Sequence, residues 1–353
     1  MTRASLDQDI MDRISLVRYP MIYLIVVAHT PGMIAYIDDP NALSFIGSFV
    51  NDGLIRLAIP MLSCISGFLI FHKRLDQDFS LLMRKRGVSL LFPILIWNIP
   101  VVLMLYVVQS QGLISYDFAD RKTMYPIDLM VWINGVLSIT DYPINYPLHF
   151  LRDLFVICLL VPWMGILLRK APFTGLLALL VIFIPNLDGL LIRNDTIIIT
   201  AYIGGMAAVM NWDLRYLDRY FVPLICVLVM MCTLIVVVDA GRPIWLPLFA
   251  PFIVWPGSSV LVGTPLGRWL KKLSRASVFL FLLHGLVLLA LTAVFSRLAE
   301  NANEFYVWLL IPVLVAVASQ SIYLFLNSLS PGLLTVLLGG RRSIAPVVAR
   351  TRA

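Results

Sequence analysis

The chain has 353 residues, of which 60% are apolar and 13% charged, with a formal net charge of +7, and its mean hydropathy is +0.91. A soluble body of this size still exposes much of its chain, so water cannot be the solvent for that much apolar surface. These values exclude a disordered chain, a disulfide scaffold and a secreted enzyme, and they identify an all-α, polytopic membrane helical bundle.

The N-terminal stretch carries Asp7, Asp9 and Asp12 and no early apolar run, so no signal peptide is expected and the first span is retained. Ten segments approach the roughly 20 apolar residues that a helical span needs. They are about 15–37, 44–71, 88–109, 148–168, 173–192, 196–211, 219–239, 243–262, 276–298 and 305–329. The sixth is short, and Pro243, Pro247, Pro251 and Pro256 interrupt the eighth. The longest loop, about 110–147, holds Trp132, Tyr142 and Tyr146, and its 126–138 part is expected to lie in the membrane interface. Residues 1–353 thus read as a single integral-membrane domain with a short tail at 330–353. Cys64, Cys158, Cys226 and Cys232 all sit in apolar runs and read as small core residues.

Lys and Arg set the orientation. With both termini cytoplasmic, 20 of the 27 basic residues fall on the inner side and five (Arg121, Lys122, Arg193, Arg242 and Arg297) on the outer side. The positive charge is therefore distributed by topology, and no nucleic-acid partner is expected.

Ionisable groups inside a span cost roughly 2.5–3.5 kcal/mol on insertion scales, which makes each a functional candidate. Arg18 and His29 lie eleven residues apart in the first segment. At 100° per residue they share one face, roughly 16 Å apart along the axis, with Arg18 near the cytoplasmic mouth. Either they work together, or Arg18 snorkels to headgroups and His29 packs. Arg56 lies at mid-depth in the second segment, ahead of Ser66-Gly67, and no obvious carboxylate is expected on its own helix. His149, Arg152 and Asp153 lie at the outer end of the fourth, where they form either a His149–Asp153 pair or an Arg–Asp capping cluster. His284 is near mid-depth in the ninth, two turns beyond Ser277 on the same face. No phosphate-binding loop, nucleophile elbow or HExxH motif is present, and four scattered His argue against a metal site.

These residues resemble acyltransferase family 3, the bacterial integral-membrane enzymes that acylate exported and cell-surface glycans. Arg18 and His29 match the family's R/K-x10-H motif. Arg56, Pro60 and Ser66-Gly67-Phe68 match its second-span pattern. Arg86 and Pro93 match its following basic loop, with Ser89 where a basic residue is common. The stretch from Leu148 to Pro162 is similar to a W-F-L-x-x-L segment, with His149 in place of Trp. Ser277 and His284 match a late S-Y-S-x-Y-L-x-H segment, whose tyrosines are replaced by Val278 and Phe281. The resemblance covers nearly the whole chain and implies ten spans and a multi-pass protein of the bacterial inner membrane. It also implies acyl-CoA, with acetyl-CoA expected, as co-substrate, no bound cofactor, and a polysaccharide or lipid-linked sugar as acceptor.

On that reading His29 is the general base or an acyl-relay nucleophile, and His284 a second catalytic candidate. Arg18, Arg56, Arg86, Ser66 and Ser277 are candidates for binding the donor or stabilising charge, and His149, Arg152 and Asp153 for the acceptor side. The alternative is a transporter or flippase for lipid-linked glycan or a small polar solute, with the same charges lining a pathway. Paired inverted repeats and matching broken helices would mark that alternative, and the Pro-rich eighth segment has no evident partner in the first half.

Overall fold

The structure, a computed structural model, describes residues 7–31, 38–113, 122–189, 191–240, 243–298 and 304–341, and no strand occurs among them. Arg3, Arg121, Arg242, Arg342, Arg350, Arg352 and the 32–37 part of the first expected segment lie outside the described residues. In chain order the helices are α1 (Gln8–Ala28), α2 (Ala42–Ser48), α3 (Ala58–His72), α4 (Phe79–Arg86) and α5 (Phe92–Ser110). They continue as α6 (Leu129–Leu137), α7 (His149–Lys170), α8 (Pro172–Phe183), α9 (Asp195–Val209) and α10 (Phe221–Val237). The last five are α11 (Trp245–Ser259), α12 (Pro265–Leu273), α13 (Ser277–Leu298), α14 (Glu304–Leu329) and α15 (Pro331–Leu337).

Each of the ten expected apolar segments contains helix, and among the described residues six helical runs are long and apolar enough to cross a membrane. The protein is a polytopic helical membrane bundle. Three boundaries differ from the sequence expectation. α1 stops at Ala28, and His29 is its C-cap. Pro31 follows two residues later, has no N–H to continue the ladder and disfavours helical backbone at the residue before it. α8 ends at Phe183, just ahead of Pro185, so the fifth segment is shorter than expected. The second segment is one helical run, Ala42–His72. Its middle leaves the α form, through a π-helical stretch at Phe49–Gly53 and a 3-10 stretch at Leu54–Leu57.

The expected interfacial stretch contains α6, but Trp132 is turned inward. Its indole N–H donates to the Met124 carbonyl at 3.0 Å, and its ring packs edge-on against Tyr106.

In lipid there is little hydrophobic force between helices, so close backbone approach at small residues holds them together. α3 and α9 cross at such a point. A Cβ on Gly67 would fall 1.9 Å from the Ala201 carbonyl oxygen, and one on Gly204 would fall 2.0 Å from that of Cys64. Gly67 is therefore a packing residue, and its neighbour Ser66 bonds back to the Leu62 carbonyl at 3.0 Å.

Ion pairs join the loops that the charge pattern assigns to one side. Arg13 pairs with Asp9 (3.0 Å) and Asp218 (2.7 Å), and Lys271 pairs with Asp12 (2.6 Å). Arg215 pairs with Asp7 and Asp9, and Arg169 with Asp76. The hydrogen bond from Arg215, helped by the Asp9 amide, holds the Asp7 carboxyl below its usual range. Lys122, Asp141, Tyr142 and Arg193 gather at the opposite end.

Two outcomes follow. Gly67→Val should abolish monodisperse protein in size-exclusion chromatography, whereas Gly332→Ala, with nothing within 4 Å of its added Cβ, should leave it unchanged. A reporter fused after Lys170 should read as cytoplasmic and one inserted near Asp141 as external. The opposite pattern would invert the orientation.

Candidate active site

α1 ends where α13 passes behind it, and this brings two histidines together. His29 sits at the α1 terminus. His284, on α13, is fully buried. The His284 Nδ1 lies 2.7 Å from the Phe281 carbonyl, which can only accept, so that nitrogen carries the proton and donates. In the neutral pair the His284 Nε2 is then the acceptor, and the His29 Nδ1–H donates to it at 3.2 Å. The His29 Nε2 is left with a free lone pair. The chain from carbonyl to imidazole to imidazole fixes which nitrogen of His29 can take a proton.

His29 lines a polar cavity of about 700 Å³, and His284 stands behind it. The cavity is shared with Arg56 and His149, so three of the residues singled out in the sequence meet there. Arg56 belongs to the 3-10 stretch of the second segment. Asp52, in the π-helical stretch four residues earlier, lines the same cavity, so a carboxylate does stand on Arg56's own helical run. Non-α turns of this kind are frequent at functional sites because they re-aim side chains.

The segment 145–149 closes the cavity over His29. Asn145 donates to the Leu282 carbonyl at 3.2 Å, and its backbone N–H donates to Asn98 Oδ1 at 3.0 Å. Gly285 makes this approach feasible, since a Cβ there would fall 2.4 Å from Asn145 Oδ1. The Tyr146 ring then meets His29 edge-on, with centroids 5.2 Å apart. His149 Nδ1 donates to the Tyr146 carbonyl at 2.8 Å. Tyr142 packs on both Tyr146 and His149, and the Arg193 guanidinium lies 4.6 Å from the Tyr142 ring centroid.

Of the two sequence alternatives at the start of α7, the Arg–Asp cluster forms. Arg152 pairs with the fully buried Asp153 at 3.0 Å and donates to the carbonyls of Leu191 and Ile139. Asp153 also accepts from the Asn194 N–H at 3.3 Å. This pair ties the 139 and 191–194 loops to α7, while His149 alone of the three lines the cavity.

Ser277 is fully buried and donates to the Ser274 carbonyl at 2.7 Å, at the start of α13. Ser66 is taken up by its own helix. Arg18 lies eleven residues before His29 on α1, hence roughly 16 Å away at 1.5 Å per residue, and Arg86 closes α4.

The sequence reading missed Asn51, Asp52, Tyr142, Tyr146, Arg193, Asn194, Asp195 and Thr196 as cavity residues. One signal was present: Asn194 followed by Asp195-Thr196 is a helix N-cap pattern that places these side chains at the mouth of α9.

A family model described as an acyltransferase domain matches residues 11–325. The chain belongs to acyltransferase family 3. Of the two readings left open by the charges, membership selects the enzyme over the transporter. Succinoglycan biosynthesis protein ExoH of Rhizobium meliloti (strain 1021) is 28% identical over 95% of this chain and 94% of its own length. No solved structure matches the chain.

The His29–His284 bond predicts how this membrane acyltransferase responds to loss of the inner histidine. His284→Ala should lower kcat by about 10²-fold or more, within the range that one general-base contact contributes, with little change in KM and with folded protein retained. His284→Gln should recover part of it, because its amide can still accept from His29. Steady-state kinetics with a pH profile on purified variants checks this. A merely structural His284 would lower yield without moving the profile.

Proposed function

We propose that this membrane acyltransferase moves an acyl group, acetyl in the simplest case, from acyl-CoA to a hydroxyl of an exported or lipid-linked polysaccharide. The observation that carries the reading is the His29–His284 hydrogen bond at the wall of a polar cavity. A family of acyltransferases needs a base for the acceptor hydroxyl, and neutral imidazole suits that task near neutral pH. The cavity offers amides, carboxylates, guanidinium groups and two tyrosine rings, the groups that bind a sugar's hydroxyls and its apolar face. A relative whose name places it in succinoglycan biosynthesis fits a glycan acceptor.

In the reaction, the acceptor hydroxyl gives its proton to His29 Nε2 as its oxygen attacks the thioester carbonyl carbon. The resulting oxyanion collapses, the C–S bond breaks, and the thiolate leaves with the proton returned from His29. His284 Nε2 stabilises the transient imidazolium through the bond it already makes. Arg56, in the same cavity, is placed to balance negative charge on the oxyanion. The roughly 16 Å between Arg18 and His29 is on the scale of an extended pantetheine arm. Donor phosphates then stay near Arg18 while the thioester reaches His29. The enzyme sits in the bacterial inner membrane, where cytoplasmic acyl-CoA and an outward-moving glycan are both within reach.

His29→Ala should abolish acylation of the surface glycan, read by mass spectrometry in a complemented deletion strain, at normal protein level. Near wild-type acylation would remove His29 from the mechanism. Arg18→Ala should raise donor KM more than it lowers kcat, with partial rescue by Lys, whereas Arg56→Ala should lower kcat with poor rescue by Lys. Unchanged donor KM in Arg18→Ala would leave Arg18 with snorkelling alone.

A further inference from the structure

Several arginines of this bundle are matched by carboxylates. Arg13 has Asp9 and Asp218, Arg152 has Asp153, Arg169 has Asp76, and Arg215 has Asp7 and Asp9. Arg193, on the wall of the polar cavity, is different. Among the described residues no carboxylate pairs with it. At that end of the bundle Asp141 is taken by Lys122 and Asp153 by Arg152, each at 3.0 Å. Asp52 and Asp195 line the same cavity without closing on Arg193. The Arg193 Nε and Nη2 are shielded from solvent and hydrogen-bonded to nothing. These two atoms share one edge of the guanidinium, the edge that meets both oxygens of a carboxylate side by side.

The position of this edge is built into the fold. On one side of Arg193, Ile192 is sunk in the core and its N–H donates to Asp188 Oδ2 at 3.0 Å. On the other, the Asn194 N–H donates to the buried Asp153 at 3.3 Å, and the Asn194 side chain caps α9. The guanidinium itself rests over the Tyr142 ring, with its Cζ 4.6 Å from the centroid, and this attraction holds the group without a hydrogen bond. Tyr142 adjoins Tyr146 with centroids 4.8 Å apart, and Tyr146 adjoins His29 at 5.2 Å. A row of rings thus leads along the cavity wall from the open edge of Arg193 to His29, over the reach of a few linked sugars.

A guanidinium edge that is stripped of water and left unpaired is costly, and an anion that fills it offsets the cost. The charge pattern puts Arg193 on the outer side, away from the cytoplasmic donor, so the acceptor is the substrate that meets it. We propose that Arg193 binds a carboxylate on the acceptor glycan, so that the enzyme selects an acidic polysaccharide and acylates it within a few sugars of the acid. The inference rests on the glycan acceptor of the proposed function and adds that acceptor's charge and the residue that reads it.

The test uses the full-length detergent-purified protein, acetyl-CoA, and exported polysaccharide from a deletion strain. The polysaccharide is supplied native or with its carboxyls reduced to alcohols by carbodiimide and borohydride. With the wild type, reduction should raise acceptor KM about tenfold or more, as expected when a charge-assisted two-point contact is lost. The kcat should stay within about twofold, as for loss of uniform binding. Arg193→Gln should show the same raised KM on native polysaccharide and no further rise on the reduced form, with donor KM unchanged. Arg193→Lys should keep part of the preference, because it keeps the charge and loses the fork. It carries the comparison if Arg193→Gln does not yield monodisperse protein. A wild type indifferent to carboxyl reduction, or a folded Arg193 variant with the full wild-type preference, overturns this inference and leaves the glycan acceptor standing. Acylation of neither polysaccharide by the wild type overturns the acceptor assignment and this inference with it. If Arg193→Gln raises KM for succinyl-CoA but not for acetyl-CoA, with acceptor KM unchanged, the edge holds a carboxylate of the acyl group and the proposal fails.

Discussion

Hydrocarbon does not solvate charge, so an ionised group inside the bundle must be matched by a partner or brought to water. That constraint organises the molecule. At one end of the bundle Arg13, Arg169, Arg215 and Lys271 are paired with carboxylates from distant parts of the sequence, and these pairs stitch the loops together. At the other end the polar residues face a cavity, where water or a substrate can satisfy them.

The active-site geometry depends on departures from regular helix. α1 stops at His29, which frees that side chain from the helix barrel and turns it toward α13. The second segment shifts through π and 3-10 turns just where Asp52 and Arg56 must face the cavity. Irregular backbone is tolerated at membrane depth when it is buried in protein or lines a cavity, and here it lines one. The buried Asn98–Asn145 network then fixes the 145–149 segment against α13, and Gly285 removes the side chain that would keep them apart. Each of these polar bonds is costly to break in a dry interior, which makes the arrangement rigid.

The two histidines divide the work. His29 meets the cavity, and His284 sets its tautomer from behind while itself held by the Phe281 carbonyl. In the proposed reaction this is the logic of a base oriented by a second group, built from two imidazoles and a backbone oxygen rather than from an imidazole and a carboxylate.

Composition and apolar segment lengths alone determined an all-helical membrane bundle, because only lipid tolerates a surface this apolar and continuous apolar runs of roughly 20 residues satisfy their own backbone there as helix. The family was legible too, because Arg18 and His29, and Arg56, Pro60 and Ser66-Gly67-Phe68, resemble its motifs in order along the chain. Other placements were not legible. Nothing local says that His284, 255 residues beyond His29, accepts a hydrogen bond from that imidazole's Nδ1–H. Nor does spacing reveal that Ser66 is spent on its own helix, that Arg193 and Asp195 share the cavity, or that Arg341 reaches the Ser89 carbonyl. Periodicity reports which face of a helix a residue occupies. Which helix that face meets is decided by close approaches such as Gly67 on Ala201 and Gly339 on Val88, where the absence of a side chain matters only once the opposing backbone is in place.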